Sequence, residues 1–423
     1  MITHPAPLTV TQVRRRYAGL TALQILGTSM MLPVLVILMG ERGLSVRDVG
    51  LVLAVGALSI ALLEVPLGIA SDRMSRRTAL AAACLGRGAA FTGLFFASSL
   101  PQFIFWSVVF ALGRAFESGP LQAWFVERTR NAATTPAEAD LATSRGLGRG
   151  FATMALGGAL GALLGGGLAA ALPPEVTIAG VQTTGVAVPL LVAVMVEVVC
   201  LVAVLYLVTG QARAPDLRST TVRHAVHDAA RLVSTNRIFL LFACRWLLFA
   251  AAFQSFELVA PLYMRSEIGS AGSAASAFSV AIIVTQLSAA AGASLSGRLA
   301  GRYVWYRAVG LLSLLAGIAI MAAGMVPSTI GFVLCFALAF FLGGPVGALQ
   351  GPTLHRQVDD TQRATLLSLE SAVANVSVFA GSLALGWLVE ATSLSVALVV
   401  AGVLAASAAV PSLLIGHRAL RDR

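Results

Sequence analysis

The chain contains no lysine. Without lysine there is no Gly-x-x-x-x-Gly-Lys-Ser/Thr phosphate loop, which excludes ATP-driven work within this chain. Charge of either sign is scarce. Charged residues make up 11% of the 423, against about 25% in a soluble domain. A water-facing surface cannot be covered at that level, and no soluble domain fits anywhere. Cysteine is rare: Cys84, Cys200, Cys244 and Cys335 all fall inside apolar runs, which argues against a disulfide framework and for small buried packing residues. The five histidines (His4, His224, His227, His355, His417) fall in tails or loops, so none is placed for a metal or a proton relay at membrane depth. No catalytic set, metal site or cofactor is expected.

What is abundant is apolar sequence. The hydrophobic fraction is 57% and the mean hydropathy +0.86. Twelve stretches are long enough to cross a bilayer. They cover residues 17–39, 48–70, 78–99, 101–126, 146–172, 186–208, 237–263, 274–297, 307–326, 329–350, 363–388 and 393–416. The first follows Arg14-Arg15-Arg16 but is too long for a signal peptide and has no cleavage site after it, so it is expected to be retained. The expected fold class is an all-α membrane protein of twelve transmembrane helices in two pseudo-symmetric six-helix bundles.

The net charge of +10 reads topology rather than a nucleic-acid partner. Of the 29 arginines, 23 fall in the tails and alternate loops that share one side. Arg42, Arg47 and Arg265 fall on the other, and Arg87, Arg114 and Arg245 within spans. This positive-inside bias places both termini in the cytoplasm and the chain in a bacterial-type cytoplasmic membrane. The outer loops are short. The longest inner loop, 209–236, carries Val222, Val226, Ala229 and Val233 on one helical stripe and is expected to form an interfacial helix. The chain divides into 1–208, a linker 209–236, and 237–423. Internal anchors support duplication: Pro33 with Pro261, Gly68 and Arg73 with Gly297 and Arg302, and Gly119-Pro120-x-x-Ala123 with Gly344-Pro345-x-x-Ala348. Parallel repeats of this kind place a site near the midplane between the halves.

The loop after the second span reads Gly68-Ile-Ala-Ser-Asp72-Arg73-Met-Ser-Arg76-Arg77. Its Gly-x-x-x-Asp-Arg-x-x-Arg-Arg spacing, within a 6 + 6 chain, resembles the signature of the major facilitator superfamily. The second-half copy, Gly297-Arg-Leu-Ala-Gly301-Arg302, is degraded. The resemblance implies a cytoplasmic gate in which Asp72 meets the start of the eleventh span near Arg363, while Arg76 meets Glu127 at the end of the fourth. Gly68 is expected to permit close helix approach. Leu63-Glu64-Val65-Pro66-Leu67-Gly68 and Gly113-Arg114-Ala115-Phe116-Glu117-Ser118-Gly119-Pro120 resemble the drug-exporter-like branch. Two departures stand against it: Gly119 lies five rather than four residues after Arg114, and the glycine-rich fifth span lacks the antiporters' Gly-Pro pair.

Ionisable residues at membrane depth cost at least about 2.5 kcal/mol each on insertion scales, so each needs a reason. Glu64 and Arg87 are symmetric about the hairpin centre and are expected to pair, with Glu197 competing for Arg87. Arg114 and Glu117 share a helix face, as do Gln254 and Glu257. Glu117 is the first candidate for proton coupling and Glu257 the second. Arg245 is expected to snorkel to the cytoplasm. Polar faces (Thr21, Gln24 and Thr28; Ser368, Ser371, Asn375 and Ser382) complete a largely apolar cavity suited to hydrophobic or amphipathic cargo.

The expected function is therefore secondary active transport of a small compound by a monomer in the bilayer, as proton-coupled efflux. The alternatives are an uptake symporter or uniporter for a metabolite and, in another class, a non-transporting membrane sensor or scaffold.

Overall fold

Apolar runs with no water to satisfy their backbone must close their hydrogen bonds internally, and here they do so as helices. The computed structural model describes residues 8–117, 119–178, 180–208, 237–300, 305–355 and 363–419. The helices are α1 Val10–Glu41, α2 Val46–Arg73, α3 Arg76–Phe96, α4 Leu100–Glu117, α5 Pro120–Ala132, α6 Pro136–Ala171 and α7 Val188–Leu207 in the first half. The second half holds α8 Arg237–Ile268, α9 Ala271–Ser294, α10 Ser296–Ala300, α11 Trp305–Ala323, α12 Thr329–His355, α13 Arg363–Ala391, α14 Leu394–Ser407 and α15 Ala409–Ala419. Side-chain caps set several starts: Thr9 and Ser45 form capping boxes with Gln12 and Asp48, and Ser75, Thr135, Ser270 and Ser393 each accept an amide of the first turn. The expected interfacial helix of the 209–236 linker lies outside the described residues.

Among the described residues, eleven helical stretches are long and apolar enough to cross a membrane. The fourth expected span, 101–126, is not one helix. It breaks at Gly119, whose φ of +93° is open to glycine and strained for other residues, and Pro120 restarts the chain as α5. The corresponding Gly344-Pro345 pair lies inside the unbroken α12. A second feature, not foreseen from the sequence, is a β-hairpin, Glu175–Ile178 with Val181–Thr184; Thr183 accepts a hydrogen bond from Arg42 at 2.9 Å. His355 and His417 sit at helix ends, in α12 and α15, rather than in loops.

Three contacts orient the bundle. The Arg16 guanidinium donates to the Leu207 carbonyl at 3.0 Å, so α1 starts where α7 ends. Arg265 pairs with Glu41 at 2.8 Å, so α1 and α8 finish together. Ile415 near the chain's end clusters with Phe239 and Phe242 at the start of α8. Both terminal helix ends therefore share one end of the bundle, the terminal end; the other is the distal end.

The halves meet mainly along α2 with α13 and α6 with α9. At the distal end, small residues bring these pairs close. A Cβ on Gly50 would lie 3.0 Å from the Gly386 Cα, and one on Gly272 would clash with the Ala169 carbonyl. Ser279 of α9 donates to the Ala162 carbonyl of α6 at 2.7 Å. Within the first half, Gly157, Gly161 and Gly165 form a stripe against Ala22, Leu26 and Met30 of α1. Large apolar side chains such as Phe151, Leu156, Met195 and Trp387 are exposed on the outside, as a lipid-facing surface requires.

Candidate functional site

Two arrangements of functional side chains stand out. The first is a chain of four charges inside the first half. Gly86 and Gly113 let α3 and α4 approach until a Cβ on Gly86 would sit 3.0 Å from the Gly113 Cα. That contact sets Arg87 beside Glu117, and the packing of α3 on α7 sets it beside Glu197. Arg87 donates from Nε and Nη2 to the two carboxylate oxygens of Glu197, at 2.8 and 2.9 Å, and from Nη1 to Glu117 at 2.8 Å. Arg114 lies 3.8 Å from the same Glu117 oxygen. Two cations and two anions alternate and cancel. Arg87 and Glu197 are sealed from solvent, whereas the Glu117 side chain is 19% exposed and that of Arg114 41%.

The expected Glu64–Arg87 pair does not form. Glu197 takes the guanidinium in a fork, because α7 packs on the face of α3 that carries Arg87. Glu64, on α2, instead accepts a hydrogen bond from Ser371 of α13, across the two halves. Asn375, one turn on, donates to the Ser371 carbonyl of its own helix at 3.0 Å.

The second arrangement is a cavity of about 100 Å³ between the halves. Leu32, Leu35 and Val36 of α1 and Leu53 of α2 wall it from the first half; α8, α9 and α12 complete it. Its aromatic wall is Phe256, with Phe278 and Phe340 each 5.2 Å from it, centroid to centroid. Glu257 faces this space with Thr285 and Gln286. Gln254, one turn back, reaches the Glu257 carboxylate at 3.5 Å, the limit of a hydrogen bond. Glu257 lies eleven residues before Ile268, about 16 Å of helix below the distal end. Of the sequence-predicted cavity residues, Glu257 lines this cavity; Gln24, Glu64, Arg114, Glu117, Gln254 and Asn375 do not.

Among the described residues, several buried polar atoms lack hydrogen-bond partners. Gln24 Nε2 and Thr28 Oγ1 of α1 have no hydrogen-bond partner, nor do Trp246 Nε1 and all three guanidinium nitrogens of Arg245. Arg245 does not snorkel. It is fully buried, its guanidinium 5.7 and 5.5 Å from the Trp246 and Phe249 rings. Those rings hold the head inside and substitute for water. Sequence reading missed this because depth along a helix does not reveal which face the neighbours cover. Glu197, expected only to compete for Arg87, is its principal partner. Of the cysteines, Cys84 and Cys200 are buried as expected, but Cys244 is exposed.

At the terminal end, Gly68 and Arg73 lie on α2, Arg76 and Arg77 open α3, and Glu127 is on α5, which packs on α3. The Asp72 side chain lies outside the described residues. Among the described residues nothing lies within 4 Å of a Cβ placed on Gly68, so close helix approach is not its use here.

Two helical halves, closed on each other at one end around a cavity lined by both, define a polytopic membrane transporter of the alternating-access class. The chain belongs to the Major Facilitator Superfamily, whose family model matches residues 17–356. No curated protein matches it. Among solved structures it is similar to a variant of the nucleoside transporter NupG, with TM-score 0.79, 14% identity, and 95% of this chain and 99% of that one covered. It is similar to a bacterial homologue of the human lysosomal transporter Spinster, inward-facing and unoccupied, with TM-score 0.79, 18% identity and 98% of each chain covered. A bacterial homologue of the human drug peptide transporters PepT1 and PepT2 matches with TM-score 0.68, 12% identity and 98% of each chain covered. At these identities the likeness is one of fold.

Proposed function

We propose that this transporter exports a small amphipathic compound across a bacterial cytoplasmic membrane in exchange for protons. It works as a monomer, with residues 1–208 and 237–423 as the two rocking halves. The arginine distribution supports placing the terminal end in the cytoplasm. The observation that carries the reading is the cavity between the halves, apolar except for a few polar groups. The closed distal end, with its Glu41–Arg265 pair, corresponds to a state sealed from the outside. In the opposite state the cytoplasmic gate closes, with Asp72, Arg76 and Glu127 as its latch and Gly68, Arg73 and Arg77 as its frame.

Glu117 is the coupling carboxylate in this proposal. It is the acid of the network that retains exposure, and it is held between two arginines. Protonating it leaves the sealed Arg87–Glu197 pair neutral, and the surplus positive charge falls on the part-exposed Arg114. In proteoliposomes with an imposed pH gradient, the wild type is expected to move cargo against the proton flow, and Glu117→Gln is expected to lose the gradient-driven component while folding normally. Gradient-driven transport at wild-type rate in Glu117→Gln would exclude Glu117 as the coupling group. Accumulation with the proton flow would establish uptake instead.

A further inference from the structure

We infer that the cavity between the halves recognises an organic monocation, an ammonium-bearing group attached to a small apolar body. The inference rests on the cavity being the cargo site and adds the sign of the cargo's charge. Among the described residues that line the cavity, Glu257 is the one charged side chain; the others are apolar apart from Thr285 and Gln286. Its described hydrogen bond, from Gln254, is at the distance limit, so its oxygens are poorly satisfied from the protein. The contrast with Glu197 is direct: that carboxylate has both oxygens engaged by Arg87. Among the described residues no cation is positioned to do the same for Glu257. Arg245, the unpaired cation on the same helix, is twelve residues away, about 18 Å of rise, and does not line the cavity.

Glu257 is exposed to the cavity, whose other walls are mostly Leu, Ile, Val and Phe; low-dielectric walls focus its field into that space and favour a counter-charge brought in with the ligand. The phenyl rings add to this. Phe256, flanked by Phe278 and Phe340, presents aromatic surface next to the carboxylate, which favours a soft, weakly hydrated cation over a metal ion. A cavity near 100 Å³ is smaller than the roughly 150 Å³ that holds benzene, so it admits one compact branched head. The anchored part of the cargo is therefore small, and any remainder lies outside the cavity.

The test uses the full-length protein in detergent and two isosteres, cationic phenyltrimethylammonium and neutral tert-butylbenzene, with benzenesulfonate as the anionic probe. Binding is read by titration calorimetry and by displacement of an uncharged solvatochromic dye from the cavity. The wild type is expected to bind phenyltrimethylammonium at least ~10-fold more tightly than tert-butylbenzene, a difference of about 1.4 kcal/mol, and to bind benzenesulfonate more weakly than either. Glu257→Gln is expected to abolish the preference for the cation while still binding the dye and tert-butylbenzene, which shows that the variant is folded. Glu257→Asp is expected to keep part of it. Equal affinity for the two isosteres in the wild type, or an undiminished preference in Glu257→Gln, overturns the assignment of charge but leaves the cavity as a cargo site. Failure of the dye and all three probes to bind the wild type overturns both.

Discussion

The two halves of this molecule treat charge at membrane depth in opposite ways. In the first half, Arg87, Glu117, Glu197 and Arg114 neutralise one another within three packed helices. In the second, among the described residues, Arg245 and Glu257 sit on one helix without counter-charges, Arg245 buried against aromatic rings and Glu257 exposed to a cavity. A buried charge that is paired and hydrogen-bonded adds rigidity; one left without a partner is a standing cost that calls for a use. The first half therefore holds a closed network that can gain or lose a proton at its exposed edge, Glu117. The second holds open valences that suit a ligand or a change of state. The helices follow the same division. The fourth crossing is broken at Gly119, directly below Glu117, while its counterpart α12 runs straight through Pro345.

The comparison can be broken first at its strongest point. Arg87→Gln removes the hub of the network and leaves two carboxylates without their principal partner. Breaking a buried pair in this way costs about 3–5 kcal/mol, so the purified variant is expected to show a clear fall in melting temperature and in monodisperse yield. Arg87→Lys is expected to recover little, since a single ammonium cannot reproduce the fork to Glu197. A melting curve unchanged by Arg87→Gln would show that the network does not hold the first half together.

The smaller effect runs the other way. Arg245→Leu removes a cation that has no acceptor among the described residues, and stability is expected to stay level or to rise by up to ~3.5 kcal/mol, the upper insertion cost of a charge. The same melting measurement applies. A fall comparable to that of Arg87→Gln would mean that Arg245 has a stabilising role and that the halves are alike after all.

The fold was legible because lipid imposes a strong rule: a span must be helical, about 20 residues long and nearly uncharged. Pro33 and Pro261, identified as repeat partners, lie in α1 and α8 at nearly the same distance from the helix ends. Gly43 and Gly269 repeat the pattern, each with positive φ just beyond those helices. The Gly119 break was less legible, since Gly-Pro pairs occur in both intact and broken membrane helices and only the backbone angle decides. In the site, spacing along one helix was reliable: Arg114 with Glu117 and Gln254 with Glu257 are neighbours as predicted. Partnerships between helices were not. Depth symmetry placed Glu64 opposite Arg87, but helix rotation turned Glu64 toward Ser371 and left Arg87 to Glu197. Which faces meet is a property of packing, and no single span carries it.

The central claim is that the cavity between the halves opens to each side of the membrane in turn. Gln286 lines that cavity and is accessible within it. Gln286→Cys, in a background with the four native cysteines replaced, can be labelled with a membrane-impermeant thiol reagent added to one face of oriented vesicles at a time. The account predicts labelling from both faces, with a change in cargo or pH gradient raising one rate as it lowers the other. Labelling from a single face under every condition would contradict it.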